Sequence, residues 1–89
     1  MSYDVYSAVG SEVRAKLLLC LYKKSKNVSE LIHICGLSQS AVSQHLAKLK
    51  SAKLVETKKV GKEIQYSLKY KKAADISRLL HSLQQAVSA

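Results

Sequence analysis

The sequence predicts a mainly α fold carrying one β-hairpin, and three observations lead there. After Gly36, the apolar residues Val42, Leu46 and Leu49 recur at helical spacing. After Leu54 the period changes to two: "LVETKKV" and "EIQYSL" flank "GK", and Ile64, Tyr66 and Leu68 alternate with Glu63, Gln65 and Ser67. Beyond "KYKK", a second stripe of helical period runs through Ile76, Leu79, Leu80, Leu83 and Val87.

In chain order, Ser11 is placed to cap a helix reaching about Lys24, with Val13, Leu17, Cys20 and Leu21 on one face. "LLLCLY" is apolar nearly all round, which suits a central core helix, and "KKSKN" reads as an exposed turn. Ser29 is the expected cap of a second helix carrying Leu31, Ile32 and Cys35, which Gly36 ends. Leu37 is expected to pack across the turn, and Ser38 to cap the third helix. Lys53 falls near that helix's end, where a cation complements its dipole. Two helices joined by a short glycine-containing turn, over about 29–52, form a helix-turn-helix. A hairpin over about 54–68 and a helix over about 73–87 complete the order.

The chain of 89 residues supports one domain, 1–89, because two cores of half that size would each bury too little apolar surface. No proline, repeat or low-complexity linker divides it. Burial is marginal at this length while the hydrophobic share is 47%, so part of the apolar surface is expected to pack against a second copy in a homodimer.

Lys and Arg number 15 against 6 Asp and Glu, a balance that selects a polyanionic partner: nucleic acid first, an anionic membrane surface second. Residues 48–72 hold nine of the lysines, with Glu56 and Glu63 as their only acids. "MSYDVYSAVG" has no secretory-leader pattern, and the longest apolar run, "LLLCLY", is far short of the roughly 20 residues of a membrane span. A cytoplasmic location is expected, in which Cys20 and Cys35 are reduced core thiols.

With the buried stripe centred on Val42, Ser40, Gln44 and Ala47 point away from the core. Ser43 and Lys48 flank them, and Gln39 projects at the open N-terminal end. Small residues allow close approach to a groove, Gln pairs with adenine, and Ser reaches bases or phosphates. A solvated helix carries the same residues, but Lys58, Lys59 and Lys62 at the neighbouring hairpin tip turn the reading towards double-stranded DNA and its major groove.

"LSQSAVSQHLAKLKSAKLV", the hairpin "ETKKVGKEIQYSL" and the upstream "AVGSEVRAKLLLCL" resemble the ArsR/SmtB family of winged-helix repressors over nearly the whole chain. The resemblance implies a dimeric winged helix-turn-helix with the hairpin as its wing. It also implies DNA contact at Gln39, Ser40, Ser43 and Gln44, in agreement with the outward face above. His45 matches a frequent family residue but lies on the flank, open to DNA contact or to helix packing. Family members dimerise through their first and last helices, which assigns Ile76, Leu79, Leu80, Leu83 and Val87 to the interface. Two-fold pairing sets the recognition helices about 34 Å apart on an inverted repeat, and repression by blocking polymerase follows from the resemblance.

The sensor positions are largely missing. Where thiolate-type metal sensors of the family carry cysteines, this chain has Asn27, Ser29 and Ile32; where zinc sensors carry their ligands, it has Tyr70, Lys72, Leu83 and Ala86. Asp75 and His81 lie on different faces of the last helix, and His33 and Cys35 point to opposite sides of theirs, so no metal site and no cofactor is expected. "LSQSAVSQHL" and "LLHSL" resemble most the HlyU and BigR branch, whose members sense oxidants or sulfur species by joining two cysteines. Cys20 matches the first of these, but the second position falls at Gln85 or beside it, where no cysteine stands. Cys35 replaces it only if the two Cα atoms lie about 4.4–6.8 Å apart.

Three readings follow. One is a dimeric repressor without a sensor, one is a repressor switched at the Cys20 thiol, and one is a winged-helix module binding a protein partner with weak nonspecific nucleic-acid contact. Paired carboxylates, a nucleophile triad and a phosphate-binding glycine loop are all missing from the sequence, so an enzyme is not expected.

Overall fold

The computed structural model describes residues 4–89; the start of "MSYDVYSAVG" lies outside them. Five helices and three strands follow in the order α1 (Val5–Val9), α2 (Glu12–Cys20), β1 (Lys26–Asn27), α3 (Val28–Cys35), α4 (Gln39–Ser51), β2 (Val55–Val60), β3 (Glu63–Leu68) and α5 (Lys71–Ser88). The fold is a mainly helical winged helix-turn-helix. Leu17, Leu18, Leu21, Leu31, Val42, Leu46 and Leu49 form its core, with Leu54, Val55 and Ala73 closing the edges.

Four local differences from the sequence expectation have physical causes. A short helix, α1, precedes Ser11; Asp4 caps it by accepting from the Ser7 amide at 2.8 Å. Helix α2 stops at Cys20 rather than near Lys24. The Tyr22 amide donates to Leu19 O at 3.2 Å, which tightens the last turn, and Lys26 Nζ donates to Cys20 O at 2.6 Å. "KKSKN" is not all turn: Lys26 and Asn27 pair with Tyr66 and Gln65, so the sheet has three antiparallel strands in the order β1-β3-β2.

The cap of α3 is Asn27 rather than Ser29. Asn27 Oδ1 accepts from the Glu30 amide at 2.8 Å, and Glu30 Oε1 accepts from the Asn27 amide at 3.0 Å. Glu30, three residues on, completes a capping box that Ser29 has no partner to make. Asn27 Nδ2 also donates to Glu63 Oε2 at 3.0 Å, tying the start of the helix-turn-helix to the wing.

Gly36 takes a left-handed conformation (φ 67°) after α3 and turns the chain into α4. Helix α4 ends in a Schellman motif: the Leu54 amide donates to Leu49 O and the Lys53 amide to Lys50 O, both at 3.0 Å. Lys53, at φ 62°, fills the position usually taken by glycine. The wing turns at Gly61 and Lys62, of which only Gly61 has positive φ, the pattern of a type II′ hairpin. The alternation along β3 weakens towards the tip: Tyr66 and Leu68 pack on the core, whereas Ile64 stands exposed opposite Lys59.

Helix α5 turns Ala73, Ala74 and Ser77 to the core, small residues that allow a close approach to α2. Ser77 is fully buried and satisfies its hydroxyl on Ala73 O at 2.8 Å. The larger residues of this helix lie outward.

Candidate nucleic-acid interface

Helix α4 begins at Ser38, whose Oγ accepts from the Ala41 amide at 3.1 Å. Val42, Leu46 and Leu49 are fully buried and fix the rotation of the helix about its axis. Gln39, Ser40, Ser43, Gln44, Ala47 and Lys48 are left exposed along the other side. The outward residues are uncharged until Lys48, so the face offers hydrogen-bonding groups first and positive charge towards its C-terminal end.

In the wing, Lys58 pairs across the ladder with Gln65 and Lys59 with Ile64. Both lysines are exposed, but as neighbours on one strand they project to opposite faces of the sheet. Lys62 occupies the turn. The three lysines therefore surround the wing tip rather than forming one patch.

His45 is half-buried and turned towards α2. Its Nδ1 lies 3.2 Å from Arg14 Nη1. Burial lowers the His45 pKa below the usual 6.5, and the charges of Arg14 and Lys48 lower it further. The ring is thus neutral at pH 7, and with Nδ1 accepting from arginine its proton sits on Nε2.

Sequence reasoning passed over Arg14. It is 7% exposed, and besides His45 it donates from Nε to Ala8 O at 2.8 Å and from Nη2 to Ser7 O at 2.9 Å. One guanidinium thereby joins α1, α2 and the recognition helix. A signal was available: Arg14 stands three and four residues before Leu17 and Leu18, both fully buried, so it shares their face of a helix with little solvent side.

The stripe on α5 is exposed, from Leu80 at 40% and Ile76 at 41% to Leu83 at 60%, Leu79 at 71% and Val87 at 74%. Cys20 and Cys35 close α2 and α3 and line one cleft. Neither is a fully buried core residue; both are half-buried. Among the described residues no three His, Cys, Asp or Glu side chains converge as a metal ion requires, and no helix is long and apolar enough to cross a membrane.

Comparison with known proteins agrees with this geometry. Residues 11–57 match the family described as "Bacterial regulatory protein, arsR family". The transcriptional repressor PagR of Bacillus anthracis is 37% identical over 91% of this chain and 82% of its own length. The nodulation protein NolR of Rhizobium meliloti is 44% identical over 68% of the chain, which spans only 50% of that protein. Among solved structures, HlyU from Vibrio cholerae superposes with a TM-score of 0.77 at 37% identity, covering 89% of this chain and 86% of that one. With the family matched over the helix-turn-helix and the first residues of the wing, the chain belongs to the bacterial arsR family and is a DNA-binding transcriptional regulator.

Proposed function

We propose that the protein is a dimeric repressor that inserts α4 into the major groove of an inverted-repeat operator. The carrying observation is the division of α4 into a fully buried stripe of Val42, Leu46 and Leu49 and an outward face of Gln39, Ser40, Ser43 and Gln44. Gln44 and Gln39 supply paired donors and acceptors for base edges, while Ser40 and Ser43 supply hydroxyls on a helix slim enough to enter the groove. Lys48 and the wing lysines Lys58, Lys59 and Lys62 take phosphates, which position the protein without reading sequence. His45, held by Arg14, serves the packing of α4 first and offers only its Nε2 proton outward.

The exposed stripe Ile76, Leu79, Leu80, Leu83 and Val87 supports pairing with a second copy, since this much apolar surface on one helix costs free energy in water. A two-fold dimer sets its recognition helices about 34 Å apart, one turn of DNA.

The test is a fluorescence-anisotropy titration against the DNA upstream of the protein's own gene, with excess nonspecific competitor. A preference of at least about a thousandfold over scrambled DNA at physiological salt is expected. Uniform, steeply salt-dependent affinity for every duplex would instead favour an interaction module with nonspecific nucleic-acid contact.

A further inference from the structure

Towards its tip the wing leaves the core, and residues 58–64 are all exposed. A two-stranded ribbon standing alone is marginal in water, so a tip that meets DNA in one place needs a further hold. The third strand stops short of it. Strand β1 pairs with β3 at Tyr66 and Gln65 and ends there, because Asn27 becomes the cap of α3. The Asn27 side chain carries the hold further: its Nδ2 donates to Glu63 Oε2 at 3.0 Å, and Gln65 Nε2 donates to the same oxygen at 3.2 Å. With Oδ1 engaged by the Glu30 amide, the Asn27 side chain is fixed in orientation and its amide nitrogen faces the wing.

Strand pairing sets these three residues on one face of the sheet. Asn27 lies opposite Gln65, and Glu63 stands two residues before Gln65 on β3. Lys58, the partner of Gln65 on β2, shares this face, whereas Lys59 lies opposite Ile64 on the other. Glu63 is next to Lys62, and with Glu56 it is one of two acids among the nine lysines of residues 48–72. A carboxylate beside a phosphate site opposes binding, so its service there lies in the two hydrogen bonds it accepts.

We infer that Glu63 is the positioning residue of the wing: held by Asn27 and Gln65, it fixes the tip against the helix-turn-helix and turns Lys59 and Lys62 towards the DNA backbone ahead of Lys58. The chain of contacts is short. Asn27 caps α3, α3 runs through Gly36 into α4, and Glu63 adjoins the hairpin turn. The tip is therefore held by the same helix pair that sets α4, and its lysines reach phosphates already ordered. Without this clamp the lysines remain, but the ribbon must be ordered on binding, which costs affinity. A phosphate on the Lys58 face meets the Glu63 charge, and one on the Lys59 face does not. The inference rests on the DNA-binding reading of α4 and the wing.

The test is a set of anisotropy titrations of the full chain on the DNA upstream of its own gene and on a scrambled duplex, each at several salt concentrations. Glu63→Gln and Glu63→Ala carry the same charge, but only the glutamine accepts from Asn27, so their difference isolates the hydrogen bonds. Glu63→Gln is expected to bind both duplexes at least as tightly as the wild type, and Glu63→Ala about three- to tenfold more weakly than Glu63→Gln. Asn27→Ser keeps an oxygen for the α3 cap but is too short to reach Glu63; it is expected to weaken binding by a similar factor with Tm little changed. Both losses should vanish when Lys59 and Lys62 are replaced by alanine, and Lys59→Ala should lower the salt slope more than Lys58→Ala does. Equal affinities of Glu63→Gln and Glu63→Ala, or a difference that survives without the two lysines, would overturn the inference. A larger slope change from Lys58→Ala would overturn its assignment of faces. Wild-type binding with no preference for the upstream DNA would overturn only the operator reading, because phosphate contacts report the clamp on the scrambled duplex as well; no binding to either duplex would overturn both.

Discussion

Arg14 Nη1 lies 3.2 Å from His45 Nδ1, and through that contact a nearly buried guanidinium on α2 grips the recognition helix while its other nitrogens hold the carbonyls of Ser7 and Ala8. Removing it leaves two backbone acceptors and a histidine without their donor. Arg14→Ala is expected to cost about 3 kcal/mol, from hydrogen bonds to a charged group in a site closed to water. Arg14→Lys is expected to recover only part, because an ammonium cannot reproduce the fork. Urea unfolding measures both, and a cost below about 1 kcal/mol for the alanine variant would mean that water replaces the guanidinium freely.

His45 carries a pH signature. Its folded-state pKa lies below the unfolded value of about 6.5, chiefly through burial and then through Arg14 and Lys48. A depressed pKa means that the unfolded chain binds the proton more readily. The stabilisation is therefore complete above pH 6.5 and is lost as pH falls from there through the lower folded-state value. His45→Asn places an amide oxygen close to the Nδ1 position and keeps an acceptor for Arg14 without titrating. Unfolding free energies measured from pH 8 to 5 should fall more steeply for the wild type than for the variant. Parallel curves would show that His45 protonates without disturbing the fold.

Lys53 is a non-glycine residue in the left-handed region, closing the Schellman motif of α4. That conformation costs an L-residue about 1–2 kcal/mol, while glycine gives back roughly 0.5–1 kcal/mol through its freer unfolded state. Lys53→Gly is expected to raise stability by about 0.5–1 kcal/mol, a few degrees in Tm for a domain of this size. A lowered Tm would show that the lysine side chain contributes more than its backbone costs.

What the sequence made legible was local. The faces of α4 follow from spacing within one helix, so three apolar residues locate the outward Gln and Ser by geometry alone. Asn27 and Ser29 are both good helix caps, and the choice between them was settled by Glu30 together with the pairing of Lys26 and Asn27 to Tyr66 and Gln65, far along the chain. The placing of Cys20 and Cys35 on one cleft, and the contact of Arg14 with His45, likewise depend on how whole helices pack. No periodicity records that. Lys58 and Lys59 show a further limit: adjacent in sequence they read as one cluster, yet the pleat of β2 sends them to opposite faces.

That separation is measurable. Each phosphate neutralised on duplex DNA contributes about 0.9 to the slope of log K against log salt. A wing lying beside the groove turns one face to the backbone, so Lys58→Ala and Lys59→Ala should act unequally, one reducing the slope by about 0.9 and the other scarcely at all. Lys62→Ala, at the turn, is expected to resemble the stronger of the two. Equal losses from Lys58 and Lys59 would mean that the wing enters a groove edge-on with phosphates on both sides.

Gln44 separates reading from holding. It stands at the middle of the exposed face of α4, uncharged, on a helix whose stability it hardly sets, since glutamine and alanine are both good helix formers. Gln44→Ala should therefore leave Tm, nonspecific affinity and the salt slope as they are. The loss should appear in preference: a bidentate contact to a base is worth about 1–3 kcal/mol, so discrimination between operator and scrambled DNA should drop by roughly 5- to 150-fold. The drop should be confined to one base position in each half-site, which a panel of singly substituted operators resolves, because a side chain of this length reaches one pair. Undiminished preference would remove Gln44 from the readout and pass the role to Gln39 and Ser43. Equal loss on operator and scrambled DNA would instead mean that the substitution disturbed how α4 sits against the duplex, since an uncharged side chain has no share in counterion release.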